Sequence, residues 1–238
     1  MSGLFSAYAW SKVWGFRMGF LTGLLNTLMT ALFGILLALA LGLVFGLMET
    51  GRNKAARAVA RVYVEFIQNT PILLQMCFIY YALAFSGHSI GIVPTGIIAL
   101  GIYHGAYMAE VFHAGIGSIP KGQFEAAQSQ GFTYMESMRY VILPQTIKII
   151  LPPMVNQIVN LFKNTSCLYI VGGMDLISVT YSFVTGEKTG GAYTPAYLLC
   201  GILFFIMCYP LSRMATSWEM RLKRKEMAAA RTAAKTAG

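Results

Sequence analysis

Long runs without charge alternate with short polar stretches along this chain, and five of the runs approach the length of a membrane crossing. The first, residues 19–48, contains no charged residue at all. A helix needs about 20 mostly apolar residues to cross a hydrocarbon core of about 30 Å, so this run spans with tilt or with an interfacial extension. The second, 59–85, is interrupted by Glu65 and by Asn69-Thr70-Pro71, and the third, 90–116, contains Glu110. A fourth is predicted to start at Pro152 and Pro153, which suit a first helical turn because their missing N–H donors go unused there, and to end near Ile170. The fifth covers 193–214. The pattern predicts an all-α integral membrane protein of about five spans. We read 1–238 as one transmembrane domain, with a core of about 19–218 and a basic tail, 219–238.

Composition supports this class. Of 238 residues, 56% are hydrophobic and only 11% charged, whereas a soluble domain is roughly a quarter charged. An odd number of spans puts the termini on opposite sides, and the positive-inside rule chooses which. Arg52, Lys54, Arg57 and Arg61 follow the first run; Lys121, Arg139 and Lys148 separate the third and fourth; Arg213, Arg221, Lys223, Arg224, Lys225, Arg231 and Lys235 close the chain. These fourteen of the eighteen basic residues belong inside, leaving Lys12, Arg17, Lys163 and Lys188. The N-terminus is expected outside and the C-terminus in the cytoplasm. The net charge of +9 fits anionic lipid headgroups, and no nucleic-acid module accompanies it. The first run is too long for a signal-peptide core, so the leading segment is expected to be retained, with Trp10, Trp14 and Phe16 as an interfacial aromatic anchor.

Catalytic chemistry finds no foothold. Cys77, Cys167, Cys200 and Cys208 show no metal-ligand spacing and read as packing residues, and His88, His104 and His113 are scattered. There is no Gly-Lys dipeptide, hence no phosphate-cradling loop. We expect no metal, no catalytic residue and no ATP hydrolysis by this chain.

The polar segment after the third run is different. Phe124, Ala127, Gly131, Met135 and Met138 recur at intervals of three and four, a narrow apolar stripe on a helix. Either a partner protein grips this surface or an amphipathic helix lies on the membrane. A mid-helix glycine costs about 1 kcal/mol, so Gly131 either divides the segment into two short helices or lets a neighbouring backbone approach. Pro144 predicts a further bend.

Glu125-Ala126-Ala127, three residues, Gly131, nine residues and then Val141-Ile142-Leu143-Pro144 resemble the cytoplasmic coupling loop of permease subunits in ATP-binding-cassette importers. Val141 stands where isoleucine is usual and Gln130 where leucine is common. The run Glu65-Phe66-Ile67-Gln68-Asn69-Thr70-Pro71-Ile72, the segment Gly105-Ala106-Tyr107-Met108-Ala109-Glu110 and Lys163-Asn164-Thr165-Ser166 resemble the polar amino acid branch of that family, with His113 where the branch often carries arginine. The similarity extends over about 22–213. It implies a type I (MetI-like) permease fold in a bacterial cytoplasmic membrane, with a coupling loop of about 119–148. It also implies a second permease chain, identical or paralogous, two separate ATP-binding subunits that hold ATP and Mg, and an external solute-binding protein that delivers an amino acid. The residues it marks for ATPase coupling are Glu125, Ala126, Ala127, Gly131, Leu143 and Pro144. Glu125 would anchor the contact by a charge-assisted hydrogen bond; its other reading is a helix N-terminal charge favoured by the macrodipole.

Charges at membrane depth are costly and seldom idle. Glu65 and Glu110 sit near cytoplasmic ends and either line the pathway or hold helices together, the structural role being favoured. Lys163 falls about 16 Å beyond Pro152 at 1.5 Å per residue, where a broken helix would present backbone groups to a solute. Asn156, Gln157 and Asn160, with Lys163, Asn164, Thr165 and Ser166, form the expected substrate pathway. The absence of an acidic cluster there leans toward glutamate or glutamine rather than a cationic amino acid. An ion-coupled secondary transporter or channel is the rival class; it would use Glu65, Glu110 and the histidines but leaves the cytoplasmic loop without purpose. Gly19/Gly23, Gly42/Gly46 and Gly101/Gly105 allow close helix contacts, expected within the subunit.

Overall fold

The computed structural model describes residues 6–186 and 192–236. The described elements are helical: α1 (Ala7–Gly15), α2 (Arg17–Thr50), α3 (Lys54–Gln68), α4 (Ile72–Phe85), α5 (Ile92–Gly117), α6 (Lys121–Ser129), α7 (Tyr134–Glu136), a π-helical stretch (Ser137–Ile142), α8 (Leu143–Asn164), a 3-10 stretch (Thr165–Val171), α9 (Leu176–Thr185) and α10 (Tyr193–Thr236). Three helices, α2, α5 and α10, are each long and apolar enough to cross a membrane. Two further crossings exist only if bent pairs count as one span: α3 with α4, bent by 103°, and Tyr134–Val171 with α9, bent by 44°.

The second run is therefore not a straight span. Asn69 closes α3 and Pro71 opens α4, because proline pushes the residue before it out of the helical region. Asn53 caps α3 by accepting from the amides of Ala55 and Ala56, and only Ala60, Val64 and Ile67, one stripe of α3, are buried. With 14 residues, α4 is about 21 Å long, short of the hydrocarbon thickness.

Lipid tails are as apolar as leucine, so helices in a membrane associate by close van der Waals fit. Here α2 and α5 run parallel and lock through two of the three glycine pairs. A Cβ at Gly42 would lie 2.5 Å from the Cβ of Met108 and 3.1 Å from its backbone carbonyl carbon; one at Gly46 would meet Phe112 and Ala109. In return, Gly101 and Gly105 receive Leu37 and Leu41. The remaining pair does different work: Gly23 faces Leu176 of α9, whereas Gly19 faces the ring of Phe16. Antiparallel to this pair, α8 seats Ile150 on Gly115 and Leu161 near Gly34, and Met76 of α4 completes the buried centre with Leu100, Met108 and Leu168.

Two proline expectations are corrected. Pro152 and Pro153 lie inside α8, which starts at Leu143, so the fourth span begins earlier than its prolines. An interior proline loses a hydrogen bond at a cost on the order of 3 kcal/mol; Pro152 is buried in the packing of the bundle and Pro153 is exposed. Pro144 occupies the first turn of α8 and the chain passes it without a break. The preceding π stretch, in which the Leu143 amide reaches the Met138 carbonyl five residues back, widens the turn where the proline ring would otherwise collide. Leu143 and Pro144, assigned to the loop, thus belong to the span helix.

At the other end of the bundle Phe16 stacks on Phe183 with ring centroids 5.0 Å apart, and Phe20 joins them. Trp10 packs against the cluster containing Ala196 and Cys200. Of the expected aromatic anchor only Trp14 is strongly exposed, with the Arg17 guanidinium 5.5 Å from its ring centre. The basic tail is no separate segment, since α10 continues through it to Thr236. Lys188 lies outside the described residues.

Candidate functional site

The loop between α5 and α8 is a compact unit with one exposed face. Ala127 is buried, and Phe124 packs with Ile116, Ile119, Met138 and Ile142. Three of the five predicted stripe residues, Phe124, Ala127 and Met138, therefore pack inward at the end of α5 and the π-helical stretch. Gln145 adds a tie by donating to Gln123 Oε1 at 3.2 Å and to the Val141 carbonyl at 2.9 Å. Gly131 ends α6 with φ +87° and has nothing within 4 Å of a would-be Cβ. Of its two sequence readings the break is realised, and no backbone of this chain's described residues approaches it. The Phe132 amide donates to the Ala127 carbonyl at 3.1 Å and the Gly131 amide to the Gln128 carbonyl at 2.9 Å, the paired closure of a helix C-terminus around a left-handed residue. Thr133 and Glu136 then form a reciprocal cap that starts the next turn, as the spacing threonine, two residues, glutamate favours. The stripe fails at Met135, which is exposed, and resumes at the buried Met138. Glu125 and Ala126 face outward, and among the described residues the Glu125 carboxylate has no hydrogen-bond partner.

The expected pathway residues divide. Asn156, Asn160 and Lys163 are exposed along one face of α8. Thr165 is fully buried and its hydroxyl donates to the Phe162 carbonyl, while Ser166 donates to the Lys163 carbonyl. Both hydroxyls thus bond the local backbone, Thr165 in the buried interior and Ser166 at an exposed bond. Asn164 turns inward, its Nδ2 3.1 Å from Nε2 of His104 on α5, and Gln157 approaches the same ring. With the amide donating, the imidazole carries its proton on Nδ1, which is buried without a partner among the described residues. The Tyr103 and Tyr107 hydroxyls, 3.2 Å apart, extend this polar layer.

Sequence reasoning passed over His104 as one of three scattered histidines, although it directly precedes the Gly105 to Glu110 motif. It also missed the anchor of the helix break. After Gly172, which is left-handed at φ +77°, the buried Asp175 caps α9 by accepting from the Ile177 amide at 3.0 Å and from the Ser178 hydroxyl. From α2, Asn26 donates to the Met174 carbonyl and Thr27 accepts the Leu176 amide, each at 3.0 Å. Gly-Gly-Met-Asp ahead of an apolar run was the available signal, an acidic N-cap after a turn.

Glu65 and Glu110 do not pair with each other. Glu65 takes Arg61 at 2.9 Å on the exposed side of α3, a contact of the kind worth at most about 1 kcal/mol. Glu110 accepts from Gln68 Nε2 at 2.9 Å, which ties α5 to α3. Glu110 thus ties two helices together, whereas Glu65 pairs only within its own helix.

Residues 34–224 match the family described as binding-protein-dependent transport system inner membrane component. The chain belongs to this family. Among its relatives is the probable glutamine ABC transporter permease protein GlnM of Bacillus subtilis (strain 168), 39% identical over 171 residues, covering 72% of this chain and 78% of that protein. A crystal structure of an amino acid ABC transporter with histidines superposes with TM-score 0.78 at 33% identity, covering 88% of this chain and 96% of that one. An inward-facing MetNI methionine ABC transporter shares the fold, with TM-score 0.63 at 20% identity over 87% and 97% of the two chains. The protein is thus a membrane-embedded, all-α permease of an amino acid ABC importer, and the MetI-like fold expected from the loop motif is the fold found.

Proposed function

We propose that this permease passes a polar amino acid of the glutamine or glutamate kind into the cytoplasm, driven by ATP hydrolysed on separate subunits that dock on α6 and the turn after it. The observation that carries the reading is the exposed Glu125-Ala126 face, unpartnered yet held on the ends of α5 and α8 by Phe124, Ala127 and Gln123. A push on that face moves two spans together. ATP binds one arrangement of the partner subunits better than the other, and this difference in affinity biases the permease between inward-open and outward-open states. The glutamine lean draws support from the relative's name. A second permease chain, identical or paralogous, and an extracytoplasmic solute-binding protein complete the assembly; ATP and Mg sit on the ATP-binding subunits. The N-terminus is outside and the docking face cytoplasmic. Asn156, Asn160 and Lys163 on the exposed face of α8, with Asn164 and Gln157 behind them, offer donors and acceptors to an amino acid's charged groups. An ion-coupled carrier is the weaker reading, since Glu65 and Glu110 are engaged with Arg61 and Gln68.

The test is uptake of labelled glutamine, glutamate and arginine into proteoliposomes holding the permease, its ATP-binding subunits and the binding protein. Glu125→Gln is expected to weaken ATPase docking roughly ten-fold, as befits a charge-assisted hydrogen bond worth about 1.5–3 kcal/mol, while membrane insertion is unchanged. Uptake that proceeds undiminished without ATP, or with a proton gradient alone, overturns the proposal.

A further inference from the structure

Beyond the coupling face, α10 carries a second feature that the transport reading does not use. A cleft of about 370 Å³ is lined by Arg213, Met214, Ser217, Trp218 and Arg221. We propose that it binds the phosphate of an anionic phospholipid headgroup on the side where α10 leaves the membrane.

Depth is the first support. Arg213 lies 20 residues after Tyr193, the first residue of α10, which at 1.5 Å per residue is about 30 Å, one hydrocarbon thickness. Arg213, Ser217 and Arg221 follow at intervals of four, so they share a stripe of the helix. Two guanidinium groups and one hydroxyl line the same cleft, and the planar fork of arginine matches phosphate in two-point fashion.

Charge balance is the second. Glu219, the nearest acid in sequence, bonds Lys223 at 2.7 Å, and this pair lines a different cavity with Pro152, Pro153 and Asn156 of α8. At 100° per residue Glu219 points about 160° away from Ser217. Arg213 and Arg221 make no ion pair among the described residues, so their charges await an anion. Apolar exposure is the third. Trp218 and Met214 are 43% and 60% exposed beside these two charges. Water alone does not favour the tryptophan and methionine, and hydrocarbon alone does not tolerate the arginines. The headgroup layer accommodates both.

Replacing Trp10 and Trp14 by phenylalanine leaves Trp218 as the only tryptophan of the three in the chain. The full chain is reconstituted in phosphatidylcholine bilayers, and Trp218 fluorescence is quenched by brominated phosphatidylglycerol or brominated phosphatidylcholine. Phosphatidylglycerol is expected to be preferred by roughly five-fold per arginine, the R213Q/R221Q variant to bring the preference within about two-fold, and K223Q, on the other side of the helix, to retain it. Native mass spectrometry of the wild-type chain, which needs no tryptophan replacement, is expected to show phosphatidylglycerol retained and R213Q/R221Q to lose it. Equal quenching by the two lipids, or a preference that survives R213Q/R221Q, overturns the proposal. Competition by millimolar inorganic phosphate would make the cleft a free-anion site and overturn the lipid assignment. Loss of the ATP-binding subunit from R213Q/R221Q with lipid preference intact would place a protein there instead.

Discussion

Substituting alanine at Gly131 and at Gly122 should shift the coupling loop in opposite directions, although both glycines have nothing within 4 Å of a would-be Cβ. Packing therefore cannot distinguish the two; only the backbone does. Gly131 holds φ +87°, where a side chain costs about 1–2 kcal/mol. Opening its turn releases the bonds from the Phe132 and Gly131 amides to the Ala127 and Gln128 carbonyls. That free energy corresponds to roughly 5–30-fold more of the open turn, read as faster deuterium exchange of those two amides. Gly122 lies within α6 with no positive φ, so Gly122→Ala removes only unfolded-chain freedom and should slow exchange across α6, by up to about 1 kcal/mol of stabilisation. Gly131→Asn should fall between glycine and alanine, because asparagine tolerates the left-handed region. The assay is hydrogen exchange of peptides spanning 121–136, paired with ATP-driven uptake, which Gly131→Ala lowers and Gly122→Ala leaves intact. If both alanines move exchange the same way, the left-handed turn is not what Gly131 supplies.

Three further outcomes follow from the geometry. Gly115→Ala would put a Cβ 2.0 Å from Cγ2 of Ile150, so it should lower thermal stability by about 1–3 kcal/mol, and Ile150→Ala in the same chain should recover part of the loss; no recovery would mean the α5–α8 contact is not where the strain falls. Asn164→Leu removes the amide that His104 Nε2 accepts from and should cost about 1–3 kcal/mol, whereas His104→Leu with Asn164→Leu should cost less than the two single changes added together; additive melting shifts would refute the pairing. Asp175→Ala should destabilise the start of α9 by about 0.5–2 kcal/mol and Asp175→Asn by much less, read as exchange of the Ile177 amide.

The charge-free run 19–48 identified α2 closely, and the run 90–116 identified α5, because a lipid-facing helix must be apolar nearly all round and that requirement is local. The short helix α6 and its end were legible for a similar reason, since Glu125, Ala127 and Gly131 lie within seven residues and their spacing is a statement about one helix and its end. Glycine pairs announced close packing, but not that two of the three would mesh α2 with α5.

The chain's order of residues thus determined which stretches are apolar enough to cross a membrane and where the short helix α6 ends. Tertiary structure alone decided that the second run folds at Pro71 by 103°, that Pro152 and Pro153 ride inside α8, and that His104 meets Asn164. The difference is one of range. Apolar periodicity records how each residue meets its surroundings, whereas a break or a buried polar pair forms only where a distant segment supplies the missing partner. Thr27 does this for the Leu176 amide across 149 positions.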